Sequence, residues 1–351
     1  MIEPGSMPNM IFWCFCKGEL FLPGMRLNKN IKIFINYFLG PALFIWLLFS
    51  IYQQVRYQPH LETSYHQISG AFTSSRSLYL LGIFGLMLVN WGLEAAKWRL
   101  SVNLVHPVSF WQSFKAVLSG VSFSVTMPNR VGDYLGRILY LPDGKRLKVI
   151  SLTVISSISQ LLITLLAGTV GCLLLKRQLI SGGILNPITF QFAVFGLEVG
   201  LLILTLFYFN LGIIQITLEK WFRSSSYLYL IDSIRSFGMQ RLIRLLLLSG
   251  ARYAVFISQY ILAFRLFGVD VSLLNAVWIM SLVFLALAVI PSIVLLEVGI
   301  RGQVSLQLVG LFTANSLGIL LTSVTIWAIN LMIPAIVGSI LILGIKVFKR
   351  Q

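Results

Sequence analysis

The sequence predicts an all-α polytopic membrane protein with about six full transmembrane helices. Two opposed broken, re-entrant helix hairpins accompany them and form an inverted repeat. Three observations carry this. Of the 351 residues, 57% are hydrophobic and only 11% are charged, too few polar groups for a soluble surface. The 27 Lys and Arg residues outnumber the 11 Asp and Glu residues and gather at the ends of apolar runs, where the positive-inside rule places them. Two apolar helices each stop at a proline that is followed by charged residues, an arrangement bilayers tolerate only inside protein or beside water. The formal charge of +16 therefore reads as topology, not as nucleic-acid binding.

Residues 1–24 lack the basic, apolar and small-residue regions of a signal peptide. The chain makes better sense from Met25, so residues 1–24 are set aside as a leader and 25–351 is expected to form one integral membrane domain. The first span is Ile33 to Tyr52, and Arg26, Lys29 and Lys32 before it put the N-terminus inside. An outer loop to Ser77 follows. Leu78 to Ala96 returns and ends at Lys97-Trp98-Arg99. Ile150 to Leu175, Phe190 to Phe209, Leu245 to Leu266 and Leu317 to Ile345 supply four more spans. Between them, Leu218 to Arg244 mixes basic with aromatic and aliphatic residues and reads as an interfacial amphipathic element. Six spans return the C-terminus to the inner side, beside Lys346, Lys349 and Arg350, and the expected location is the cell inner membrane.

The first broken unit runs from Val108 to Leu141. Pro128 lacks an N–H and suits the first turn of a new helix. Beyond it, Arg130, Asp133 and Arg137 recur at spacings of three and four and share a face. Gly132 and Gly136 form a small-xxx-small pair that lets another helix approach. The second unit runs from Ser272 through Pro291 to Glu297, Gly299, Arg301 and Gly302.

The two units repeat one another. Trp98-Arg99-Leu100, Val108-Ser109, Pro128, Asp133 and Arg137 match Phe264-Arg265-Leu266, Val271-Ser272, Pro291, Glu297 and Arg301. Valine to proline is 20 residues in both copies and carboxylate to arginine is 4 in both. Repeat one covers about 78–141 and repeat two about 245–313. One enters from the cytoplasm and the other from outside, the layout of transporters with a midplane site.

At these residues the chain resembles the lysylphosphatidylglycerol synthase transmembrane region, a flippase-like membrane family, over roughly Leu78 to the C-terminus. Its first motif reads roughly P-x-R-x-G-E-x-x-R. Here the stretch is Pro128-Asn129-Arg130-Val131-Gly132-Asp133-Tyr134-Leu135-Gly136-Arg137. The second motif departs from the family pattern: 292–296 is not glycine-rich, Glu297 precedes Gly299-Ile300-Arg301, and Gly302 stands where an acid is usual. The resemblance implies handling of lipids with polar heads, by the membrane part alone, without the aminoacyl-transferase domain of bifunctional members.

Two readings of Arg130, Asp133 and Arg137 stay open. They form an anion site, with a helix start and an arginine fork matched to phosphate, or an internal ion pair that locks the hairpin. Charges cost about 3 kcal/mol each at the bilayer centre and usually mark substrate paths. Glu297 and Arg301 pose the same choice. Glu94 and Glu198, also inside spans, are read as helix-to-helix hydrogen bonders without counterparts in the other repeat. No catalytic residue, metal site or cofactor is expected: His60, His66 and His106 fall in loops, Cys14, Cys16 and Cys172 show no metal spacing, and no paired acids appear.

The expected function is a flippase-like transporter for a phospholipid or a polyprenyl-phosphate-linked lipid. A membrane-embedded transferase on lipid-linked sugars and an accessory subunit of a lipid or envelope synthase are the alternatives. An envelope-biosynthesis partner and a second copy of the chain are the protein partners this admits.

Overall fold

A computed structural model describes residues 77–126, 131–211, 237–290 and 294–343. The leader, the first span at 33–52, Pro128, Arg130, Pro291, residues 212–236 of the amphipathic element and the C-terminal basic cluster lie outside them. Every regular element among the described residues is helical. They are α1 (Ser77–Val102), α2 (Phe110–Thr126), α3 (Val131–Ile138), α4 (Arg146–Leu174), α5 (Lys176–Ser181) and α6 (Pro187–Phe209). The second half has α7 (Met239–Leu266), α8 (Leu273–Val289), α9 (Val294–Val309), α10 (Ser316–Trp327) and α11 (Ile333–Leu343). Among the described residues, five helices are long and apolar enough to cross a membrane: α1, α4, α6, α7 and the joined Ser316–Ile342 rod. Each falls on a span read from the sequence.

The broken units are shorter. At about 1.5 Å per residue α2 is roughly 25 Å long, α3 about 12 Å and α8 about 25 Å, against a hydrocarbon core of about 30 Å. The repeated Val-Ser pair is a helix start in both copies. Ser109 Oγ accepts from Gln112 N at 3.2 Å while Gln112 Oε1 accepts from Ser109 N at 3.0 Å, a reciprocal capping box that opens α2. Ser272 caps α8 by accepting from Asn275 N. Without a side chain, Gly132 and Gly136 let α3 lie against α2, where a Cβ would meet the backbone carbonyls of Phe123 and Ser119. The close neighbour is thus the other arm of the same hairpin.

α1 and α7 form the central pair. Gly82 lies against Leu262, Gln259 Nε2 donates to the carbonyl of Ile83, Arg252 pairs with Glu94, and Lys97 donates to Ser249. The partner numbers fall as the others rise, so the two helices run antiparallel. In the Trp98-Arg99 and Phe264-Arg265 steps the aromatic is buried and the arginine exposed in both. One apolar cluster spreads from this pair over most of the other helices.

Three boundaries differ from expectation. α7 begins at Met239, so Arg241 and Arg244 lie in its first turns and not in the amphipathic element. Lys176 and Arg177 open a short helix, α5, with the Lys176 ammonium 5.6 Å from the centre of the Phe190 ring. The last span is interrupted by a π turn at Ala328–Met332. Pro334, in the first turn of α11, has no N–H to continue the ladder, and the extra residue of the π turn lies just before it.

Candidate functional site

A cavity of about 470 Å³ opens where both broken units meet the central pair, and its walls carry Asp133 and Arg137 from α3 and Glu297 and Arg301 from α9. Four sequence-predicted site residues are thus gathered in one place. Arg130 lies outside the described residues. Gly299 and Gly302 are buried on α9.

Arg137 grips Asp133 with two bonds, Nε to Oδ1 at 3.0 Å and Nη2 to Oδ2 at 2.7 Å. This is the planar fork that a spacing of four on one helix allows. The guanidinium has a second carboxylate as well, with Nη2 donating to Glu94 Oε1 at 3.0 Å. In the second unit Arg301 Nη2 donates to Glu297 Oε1 at 2.8 Å and Nη1 to the Tyr260 hydroxyl at 2.9 Å.

Glu94 corrects the sequence reading. It is 6% exposed and binds three cations: Arg137 through Oε1, Arg252 through Oε2 at 2.6 Å, and Lys97 through Oε2 at 3.3 Å. It is an ionic hub, not only a hydrogen bonder between helices. Nor does it lack a counterpart. Glu94 stands four residues before Trp98, and Tyr260 stands four before Phe264. Each touches the arginine of its own repeat. Lys97, expected at the inner flank, is 2% exposed and faces the cavity, because the ionic partner lies one helical turn away. Glu198 departs the other way: it is exposed on α6 and has no partner among the described residues.

Arg252 escaped the sequence reading. It lies between Glu94 and Asn90, donating from Nε to Asn90 Oδ1 at 2.8 Å. Its guanidinium lies over the Trp91 and Phe256 rings, 5.5 and 5.8 Å from their centres. A charge inside an apolar span was the available signal. The π turn was also missed. It brings Asn330 to the cavity, where Asn90 Nδ2 donates to Asn330 Oδ1 at 3.3 Å.

Several buried polar atoms on the lining have no described partner: Trp91 Nε1, Trp327 Nε1, Arg301 Nε and Gln160 Oε1. Three of the four are donors. Buried donors are normally satisfied, and an acceptor-rich group such as a phosphate would satisfy these. Among the described residues no group of three or more His, Cys, Asp or Glu side chains gathers as a metal would require. A comparison with curated proteins finds no match, whereas the family model described as the lysylphosphatidylglycerol synthase TM region matches residues 33–345.

Proposed function

The chain belongs to the lysylphosphatidylglycerol synthase TM region family, and on that premise we propose that it is a flippase-like transporter for a phospholipid or lipid-linked precursor with an anionic phosphate head. One observation supports this reading: charged pairs of both repeats line a single cavity and, among the described residues, its cations outnumber its carboxylates. A phosphodiester supplies the missing negative charge and the acceptors for the unpartnered donors, while its acyl chains stay in lipid. Arg252 and Arg301 are the described arginines placed to contact it, and Arg130 is the sequence's own candidate. The domain is read as 25–351, built on opposed repeats at about 78–141 and 245–313, in the cell inner membrane with both termini cytoplasmic.

A transferase would need an acid free to give or take a proton. Glu94, Asp133 and Glu297 do share the cavity, which is the observation that favours this second reading. Against it, each carboxylate is paired with an arginine, which favours its ionised, acceptor-only form as a charge partner over a free acid that gives and takes a proton.

The test is reconstitution into phosphatidylcholine vesicles holding a fluorescent phosphatidylglycerol, with dithionite bleaching of the outer leaflet. Wild type is expected to bleach the inner-leaflet pool faster than protein-free vesicles, and Arg252→Ala and Arg301→Ala to lose that gain. Folded wild type no faster than empty vesicles sinks the proposal.

A further inference from the structure

Among the cavity's buried atoms without a described partner, the donors Trp91 Nε1, Arg301 Nε and Trp327 Nε1 call for a group such as phosphate. Gln160 Oε1 is the exception. It is an acceptor, and an ionised phosphodiester brings acceptor oxygens and no proton. A ligand that also suits Gln160 has to donate from some other part of itself.

The same character runs along the helix that carries Gln160. Ser157, Gln160 and Thr164 all line the cavity from α4, and spacings of three and four set them on one face. Their hydroxyl protons are already committed: Thr164 Oγ1 donates to the carbonyl of Gln160 at 3.0 Å, and Ser157 Oγ donates to the carbonyl of Thr153 at 3.1 Å. Ser157 Oγ is then the acceptor in its contact with the Tyr134 hydroxyl of α3, 3.4 Å away. A hydroxyl that has given its proton keeps two lone pairs, and an amide oxygen has two as well, so each can take a ligand donor beside an existing partner. α4 thus offers the cavity acceptors, whereas Trp91 on α1, Arg301 on α9 and Trp327 on α10 offer it donors.

We propose that this face of α4 is a second subsite that reads alcohol hydroxyls on the lipid head beyond the phosphate, and that Gln160 sets the preference. The subsite rests on the reading of the cavity as a phosphate-lipid site and adds the class of head: one that carries free hydroxyls, as glycerol or a sugar does. The walls divide the ligand by hydrogen-bonding type. Phosphate oxygens accept from the donors of α1, α9 and α10, while head-group hydroxyls donate to Gln160 Oε1 and Thr164 Oγ1. An alkyl head in the same place leaves the amide oxygen against hydrocarbon, and a site built to hydrogen-bond a hydroxyl discriminates strongly against the analogue that lacks it. A choline head has no proton to give and fails for the same reason.

The experiment is calorimetry of the full chain in detergent with dihexanoylphosphatidylglycerol and with its propyl counterpart, dihexanoylphosphatidylpropanol. The propyl ester keeps the phosphodiester, its charge and every head-group carbon, and lacks both hydroxyls. Wild type is expected to bind the glycerol lipid about tenfold more tightly, the gain that one or two neutral hydrogen bonds supply. Gln160→Leu is expected to bring the ratio to within about twofold of unity, and Thr164→Val, which keeps the side chain's shape, to lower it about threefold. Arg252→Ala is expected to weaken both lipids alike and leave the ratio in place, because it acts on the phosphate. Equal wild-type affinity for the two lipids overturns the head subsite alone. So does a folded Gln160→Leu with the wild-type ratio. Where Gln160→Leu fails to fold, Thr164→Val decides, and a ratio unchanged from wild type overturns the assignment to α4. Wild type that binds neither lipid overturns the phosphate site and, with it, the subsite.

Discussion

Arg137 and Arg301 occupy matching places in the two repeats, and each holds a carboxylate four residues back and a side chain from the central helix pair. On one side that third group is Glu94. On the other it is Tyr260, a neutral phenol. The second unit thus joins an ion pair to one neutral hydrogen-bond partner, with Arg301 Nε left without a described partner. The first is an open network in which Glu94 is shared with Lys97 and Arg252. The same scaffold thus gives its arginine a neutral third partner in one repeat and a carboxylate shared among three cations in the other, and a carboxylate-for-phenol difference separates them.

The largest expected effect comes from breaking the hub. Glu94→Ala leaves Lys97 and Arg252 without a carboxylate, and thermal unfolding in detergent should show a loss of at least the 3 to 5 kcal/mol typical of a broken buried pair. A loss under about 1 kcal/mol would mean that water, and not Glu94, balances these cations. Next comes Glu297→Ala, which leaves Arg301 only the Tyr260 hydroxyl among its described partners; the same 3 to 5 kcal/mol is expected.

Asp133→Ala sharpens the comparison. From the sequence alone it should strand Arg137, but Glu94 still holds that guanidinium, so the loss should be nearer 1 to 3 kcal/mol. Double-mutant cycles on unfolding temperature can rank the couplings: Glu297 with Arg301 above Asp133 with Arg137. The reverse order would refute the role given to Glu94. The smallest effect is expected of Tyr260→Phe, about 1 to 2 kcal/mol for one lost hydrogen bond to a charged group, with lipid movement retained. Abolished transport by a folded Tyr260→Phe would make the phenol itself part of the lipid site.

By itself the sequence determined the membrane class, five of the described spans to within a few residues at most ends, the two broken units, the Val-Ser helix starts and the shared helix faces of Asp133 with Arg137 and of Glu297 with Arg301. All are local matters of apolar run length, capping and i,i+4 spacing. Proline positions located the breaks because a missing N–H acts on its own helix. Only the tertiary structure decided that Glu94 is a hub, that Lys97 is buried rather than solvated, that Arg252 joins the site, and that Tyr260 is Glu94's counterpart. Those outcomes depend on α1 and α7 lying antiparallel, in a register that brings residues 158 positions apart within 2.6 Å. Charge sharing across such a distance leaves no periodic trace in one chain. The π turn before Pro334 belongs to the same group, since its place at the cavity is set by packing against Asn90 as well as by the proline.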